Sequence, residues 1–138
     1  MPPDLSAAFA LLDIRFAGPP LTGALRQLRQ GFPWRAVSAF AERAEVPQSE
    51  VFEALAIPSR TLSRRKREGH FSPEESGRLL RLARVVAYGT RVLGDRDAVR
   101  SWLHSPCRAL GGLVPSSLLD TEAGGEAVLE ELGRSTGS

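Results

Sequence analysis

Apolar residues recur along the chain at helical spacing, and no segment alternates apolar and polar residues for long enough to indicate a half-buried strand. The pattern predicts a first helix over residues 5–16 and a second apolar stripe over residues 21–30 that ends at Gly31. Pro33 is expected to open a third helix, which Pro47 stops. These features predict an all-α protein.

Two short helices joined by a tight turn are predicted between Gln48 and Gly69. Ser49 is expected to cap the first helix, the segment 56–58 breaks the chain, and the second helix begins at Ser59. A polar, strongly basic second helix in this arrangement is typical of a helix-turn-helix that contacts DNA, although a basic face can also be plain solvated surface. The candidate DNA contacts are Ser59, Arg60, Thr61, Ser63, Arg64, Arg65 and Lys66.

The second half of the chain predicts three more helices. Ser72-Pro73-Glu74-Glu75 is a capping box, and its helix should run to about Leu93. Leu80 and Val85 lie off the main apolar stripe of that helix, which indicates either a self-association surface or further core packing. A helix over 96–104 and a last helix after residues 120–122 follow. We therefore divide the chain into an N-terminal helix-turn-helix region, residues 1–70, and a small C-terminal helical region, residues 71–138.

Composition and charge narrow the possible functions. The chain has 138 residues, of which 42% are hydrophobic and 25% charged, and it lacks an apolar run long enough to span a bilayer, so a cytoplasmic protein without membrane attachment is expected. Residues 59–108 carry 12 basic and 5 acidic side chains, whereas residues 109–138 carry one arginine and 5 acids. This asymmetry indicates an anionic partner, most commonly nucleic acid, for the middle of the chain and a different role for its end.

Catalytic and metal-binding chemistry has little support in the sequence. Cys107 is the only cysteine, which excludes an internal disulfide and a multi-cysteine zinc site. His104 lies three residues before it, so a small hydrolase or a metal site is an alternative, but Pro106 intervenes and the only other imidazole is His70. Cys107 is expected to be a small buried hydrophobe. The glycine pairs 111–112 and 124–125 match no phosphate-binding pattern and are interpreted as turns; the second pair also weakens the last helix.

A series of short segments between residues 59 and 134 matches a known family in order and spacing. The segments are 60–66, 71–76, 78–84, Gly94-Asp95, Trp102-Leu103, Ala109-Leu110-Gly111-Gly112, Leu118-Leu119-Asp120-Thr121-Glu122-Ala123-Gly124 and Leu132-Gly133-Arg134. On these residues the chain resembles the Xre/MbcA/ParS-like antitoxins of RES–Xre type II toxin–antitoxin systems. Two positions depart from the usual helix-turn-helix pattern, because Phe52 stands where a small residue is usual and Ala56 where glycine is frequent.

The resemblance implies a two-part antitoxin with no catalytic activity and no cofactor. An Xre-like helix-turn-helix would bind the operator of its own operon, as a homodimer and within a larger toxin–antitoxin hetero-oligomer. The C-terminal region would bind a RES-domain toxin, which degrades NAD⁺, and obstruct its cleft. The expected toxin contacts are Asp120, Thr121, Glu122, Glu126, Leu129, Glu130, Leu132, Gly133 and Arg134. The alternative is a stand-alone helix-turn-helix regulator or segregation adaptor that has no toxin partner.

Overall fold

Eight α-helices make up the part of the chain, residues 3–136, that the computed structural model describes. They are α1 (Pro3–Leu11), α2 (Pro20–Gln30), α3 (Arg35–Ala44), α4 (Gln48–Leu55), α5 (Ser59–Glu68), α6 (Pro73–Leu93), α7 (Arg96–Leu103) and α8 (Glu122–Thr136). Two 3-10 turns, Arg108–Leu110 and Pro115–Leu118, connect α7 to α8. Extended pairing in this part of the chain is limited to two isolated bridges, so the all-α prediction is confirmed. The predicted regions 1–70 and 71–138 extend past the described residues at their outer ends.

The 21-residue helix α6 organises the fold. It packs against α1, α2, α3 and α4 from the first half of the chain and against α7 and α8 from the second. Because neighbours surround it, Leu80 and Val85 are buried although they lie off its main apolar stripe. These two residues therefore belong to the core and are not available as a self-association surface. Within the described residues, each helix is too short or too polar to cross a lipid bilayer.

Several helix ends fall where the sequence predicts them. The Ser72 hydroxyl accepts a hydrogen bond from the Glu75 amide, and the Glu75 carboxylate accepts one from the Ser72 amide, at 3.1 and 2.8 Å. Asp95 accepts from the Ala98 amide at 2.7 Å and caps α7. Gly69 ends α5 in the left-handed conformation, with φ 89°, which glycine adopts without steric cost.

Three predicted boundaries are wrong. The third helix begins at Arg35 and not at Pro33, which forms an isolated bridge with His70. The first helix ends at Leu11 instead of residue 16, because Asp13 adopts φ 54° and the Ile14 amide donates back to the Phe9 carbonyl at 3.1 Å. This turn buries Ile14 against the core. The fourth helix begins at Gln48 after Pro47, so Ser49 lies inside it and is not its cap. Pro47 occupies the cap position with φ −65° and ψ 145°, and α4 has no side-chain cap hydrogen bond.

Candidate functional site

The α4–α5 unit has the geometry of a helix-turn-helix. Ala56 ends α4 in the left-handed conformation with φ 53°, and residues 56–58 lead directly into α5. Ile57 is buried beneath the turn. Arg78 of α6 donates to the Leu55 carbonyl at 3.0 Å and so satisfies a carbonyl at the end of α4. Ala56 therefore adopts the conformation that glycine usually supplies, and the turn still closes.

Phe52, the unusual residue of this unit, belongs to an aromatic stack. The Trp34 ring lies between two phenylalanine rings, with centroid distances of 5.4 Å to Phe52 and 5.1 Å to Phe71. Backbone hydrogen bonds of 2.9 Å from Trp34 to Gly69 and from Phe71 to Phe32 join the same segments. The large side chain at position 52 thus braces α4 against the α2–α3 connection and the start of α6, and does not disturb the unit.

The outer face of α5 is basic. Arg60, Ser63 and Arg64 are exposed and lie within one helical face, and Ser59 and Lys66 are exposed beside them. Thr61 is half-buried. Within residues 3–136, neither Arg60, Arg64 nor Lys66 forms an ion pair, which leaves these cations available to an anionic partner.

Arg65 has a different environment from the other predicted DNA contacts. Its side chain is only 18% exposed, and its Nε donates to Glu75 Oε1 at 2.7 Å. The Nη2 group donates to Glu75 Oε2 at 3.3 Å and the Nη1 group to Glu68 at 3.1 Å. This guanidinium is therefore paired inside the protein, where it joins α5 to α6, and its role as a DNA contact stays a prediction.

Arg67 is the basic residue that sequence reasoning missed. It is exposed, forms no ion pair among the described residues, and follows Arg60 and Arg64 at steps of four and three residues. That spacing places the three arginines on one helical face. The sequence alone indicates this face, because residues three and four apart share one side of a helix. Arg65, one residue after Arg64, points toward the opposite side.

The Arg65–Glu75 pair shifts the pKa of both of its members. Burial raises the pKa of the Glu75 carboxyl, but the hydrogen bonds from Arg65 and from Ser72 together outweigh it and hold that pKa below its ordinary value. The same hydrogen bonds, to Glu75 and to Glu68, raise the pKa of Arg65. Both groups therefore stay charged at neutral pH.

Helix α8 rests on α6 through small residues and a buried apolar seam. Val128 and Leu132 are 0% exposed, so Leu132, one of the predicted toxin contacts, packs in the core of the free chain. A Cβ at Gly124 would overlap the Leu118 carbonyl oxygen, and one at Gly125 would lie 2.5 Å from Arg81 Cδ. The 124–125 pair therefore lies inside α8 and not in a turn. The absence of side chains there lets α8 pack closely against the Leu118 carbonyl and the Arg81 side chain.

The other predicted partner contacts lie on or beside the outer side of α8. Asp120, Glu122, Glu126 and Glu130 are exposed, Leu129 is half-buried, and Thr121 is an exposed cap that accepts from the Gly124 amide at 3.0 Å. Gly133 is half-buried against Tyr88. Arg134 is exposed but pairs with Glu131 at 2.8 Å and with Glu130 at 3.9 Å within the same helix. The result is an acidic surface that one internally paired arginine interrupts.

His104 and Cys107 have different neighbours. His104 Nε2 lies 3.7 Å from a Glu50 carboxylate oxygen, which also accepts from Arg100 at 3.1 Å. Cys107 is half-buried, and its backbone amide donates to the Leu113 carbonyl at 2.9 Å. Across residues 3–136, no group of three or more His, Cys, Asp or Glu side chains is arranged to hold a metal ion.

Two family models match the chain and together cover most of it. The antitoxin Xre-like helix-turn-helix domain matches residues 23–84, and the antitoxin Xre/MbcA/ParS C-terminal toxin-binding domain matches residues 89–137. The two matches meet inside α6, whereas our division at residues 70 and 71 precedes that helix.

Curated relatives agree with these matches. An Antitoxin Xre of Yersinia enterocolitica is 36% identical over 78% of this chain and 74% of its own length, and an Antitoxin Xre of Photorhabdus laumondii is 32% identical over the same shares. A Sphingobium protein named Prs ADP-ribosylating antitoxin is 30% identical over 76% of this chain and 72% of its own length.

Proposed function

The chain belongs to the Xre family of antitoxins and is a toxin-neutralising, DNA-binding antitoxin, and we propose that its toxin is a NAD⁺-degrading enzyme of the RES-domain class. The observation that supports this proposal is the acidic outer surface of α8, which lies in the segment that matches the toxin-binding domain. A cleft that binds the NAD⁺ pyrophosphate has positive potential, from cationic side chains or from a helix N-terminus, and exposed carboxylates complement that potential.

In this proposal α8 covers the toxin cleft. Glu122, Glu126 and Glu130 face the basic mouth, with Asp120, Thr121, Leu129, Gly133 and Arg134 around them. Such charges speed association and set orientation more than they add affinity, so the apolar contacts beside them must supply part of the binding energy. Arg134 contributes by holding Glu130 and Glu131 in place, since both carboxylates lie within ion-pair distance of it.

We propose further that α5 binds the operator of the antitoxin's own operon. The exposed cations Arg60, Arg64, Lys66 and Arg67 contact phosphates or guanine edges, with Ser59, Thr61 and Ser63 as polar contacts. One such helix gives only the weak affinity of non-specific binding, about 10⁻⁴–10⁻⁶ M. Specific repression therefore requires a homodimer or a toxin-linked hetero-oligomer that presents two helices to two half-sites. The antitoxin acts in the cytoplasm as a binding protein and carries out no catalysis.

Co-expression with a RES-domain toxin encoded beside this chain tests the proposal. We expect a complex that co-purifies, cellular NAD⁺ that stays at its normal level, and loss of NAD⁺ when residues 120–138 are deleted. A sharper pair of variants is Glu122→Lys/Glu126→Lys against Glu42→Lys/Glu53→Lys, because all four carboxylates are exposed and only the first two lie on α8. Only the first variant should slow association with the toxin.

The result that would overturn the toxin assignment is a neighbouring gene product that neither binds the chain nor consumes NAD⁺. Operator binding that persists alone would then favour the stand-alone regulator. If instead both charge-reversal variants lost toxin binding equally, the acidic face of α8 would not be the contact surface.

A further inference from the structure

A turn on the C-terminal side of α7 presents a leucine to solvent. Leu113 is 52% exposed, and among the described residues only Leu21 and Leu25, both on α2, share its status as exposed large hydrophobic side chains. Scattered exposed leucines are ordinary on protein surfaces, so the side chain alone has no functional meaning. Leu113 differs from an ordinary exposed leucine because it lies on an ordered turn that packs beside α8.

The turn that carries Leu113 is held by its own backbone. Cys107 and Leu113 form an antiparallel bridge, in which the Cys107 amide donates to the Leu113 carbonyl at 2.9 Å. The Cys107 carbonyl accepts from the Leu110 and Gly112 amides at 3.0 and 2.9 Å. Gly111 and Gly112 take left-handed conformations with φ 72° and 80°, which lets the chain reverse within this span. Leu113 is thus displayed on an ordered turn, which lowers the entropy that its immobilisation in an interface would cost.

The turn lies beside the acidic helix. Its 3-10 segment, Arg108–Leu110, packs against α8, and Leu110 is partly buried against the common core. Arg108 is exposed and forms no ion pair within the described part of the chain. An apolar side chain next to charged groups is the arrangement of an interface anchor with its polar rim.

We propose that the turn 107–113 is part of the toxin-contacting surface and that Leu113 inserts into an apolar depression next to the toxin's cleft. The inference rests on the proposed function and extends the contact surface from α8 to a second element. The partner it fits has a non-polar hollow beside a basic mouth, because the 3-10 segment of the turn packs against α8, whose exposed carboxylates complement such a mouth. The turn also lies within residues 89–137, which match the toxin-binding domain.

The test compares two exposed leucines. Toxin affinity of the full chain is measured by biolayer interferometry for the parent, Leu113→Ala, Leu113→Asp, Leu25→Ala and Leu25→Asp, with thermal melts to check folding. Leu25 is a matched control because it is 41% exposed but lies on α2, outside the toxin-binding segment. We expect Leu113→Ala to weaken toxin binding at least tenfold, Leu113→Asp to weaken it further, and both Leu25 variants to stay within twofold of the parent.

Two results would overturn the inference while leaving the proposed function intact. One is a parent chain that binds the toxin and a Leu113→Ala variant that binds equally well. The other is a Leu113→Asp variant that changes the sedimentation coefficient of the free antitoxin but not its toxin affinity, because a second copy of this chain would then cover the leucine. A parent chain that does not bind the toxin at all would overturn the proposed function itself, and the inference with it.

Discussion

Arg65 Nε lies 2.7 Å from Glu75 Oε1, and this ion pair joins the second helix of the helix-turn-helix to the helix behind it. The same carboxylate accepts the Ser72 amide in the capping box at the start of α6. The Glu75 side chain therefore fixes both the position of α5 and the first turn of α6, so substitutions of Glu75 test both contacts.

Replacing Glu75 by glutamine should destabilise the protein. Glutamine can still complete a capping box, but it removes the negative charge that neutralises the largely buried Arg65. We expect the free energy of unfolding, from urea titration at pH 7, to fall by about 1–3 kcal/mol. Glu74→Gln is the control, because Glu74 is an exposed neighbour whose pair with Arg78 should be worth about 0–1 kcal/mol. Equal losses from the two substitutions would show that Glu75 contributes no more than a surface pair.

Stability should also depend on pH through this carboxyl. The pKa of Glu75 in the folded protein lies below its ordinary value of 4.5, so its stabilisation is fully present above that value and is lost as pH falls through the folded pKa. The raised pKa of Arg65 adds no change in this range, since the arginine stays protonated throughout. The difference in unfolding free energy between parent and Glu75→Gln should hold from pH 7 to 5 and shrink below pH 4. A difference that stays constant down to pH 3 would contradict this assignment.

Two adjacent arginines of α5 should behave differently in DNA binding. Arg64→Ala should lower operator affinity and reduce the slope of log K against log salt by about one, as the loss of a phosphate contact does. Arg65→Ala should mainly lower the unfolding free energy, because its guanidinium pairs with Glu75 and Glu68. Arg108→Ala controls for the loss of an exposed arginine far along the chain from α5. If Arg65→Ala reduced the salt slope as much as Arg64→Ala without loss of stability, the ion pair would not be its main role.

Two helical glycines make a matched pair for the packing of α8. Gly124→Ala should destabilise the protein by more than 1 kcal/mol, because the new Cβ would overlap the Leu118 carbonyl. Gly77→Ala in α6 meets no atom within 4 Å and should stabilise it by about 0.4–1 kcal/mol. Thermal or urea unfolding of both variants measures this. Gains from both substitutions would show that the approach of α8 to the Leu118 segment can relax freely.

A cavity of about 50 Å³ lies where α3, α4, α6 and α7 meet, and Val51 lines it together with Phe40, Leu82, Val86 and Val99. Val51→Ile adds one methylene at a buried wall and should stabilise the fold by about 0.5–1 kcal/mol. Val128→Ile is the control, because Val128 is equally buried but does not line this cavity, so the same methylene should destabilise. A loss of stability in Val51→Ile would show that the cavity cannot admit the extra carbon.

Local chemistry made much of the fold predictable. The capping box at Ser72, the end of α6 near Leu93 and the glycine that closes α5 each depend on residues close together in sequence. The confirmed family likewise follows from short segments in order. The end of α1 was missed because nothing in the apolar pattern shows that Asp13 adopts a left-handed conformation.

The environments of two candidate site residues could not be predicted from the sequence, for a common physical reason. Arg65 and Leu132 were placed on functional surfaces because their types fit, basic on α5 and apolar on α8. Which side of each helix faces α6 depends on contacts between distant residues, such as the burial of Leu132 and the pairing of Arg65 with Glu75. Helical spacing shows which residues share a face, as it does for Arg67. Contacts with the neighbouring helix determine which face is buried.

The central position of α6 makes both halves of the molecule depend on one continuous helix. Its N-terminal turn holds the DNA-facing helix, and its length supports both the N-terminal helices and α8. A protease that cuts anywhere inside this helix therefore removes the shared core of both halves, and neither half retains a complete one. Under the proposed function, one such cut would abolish DNA binding and toxin binding together.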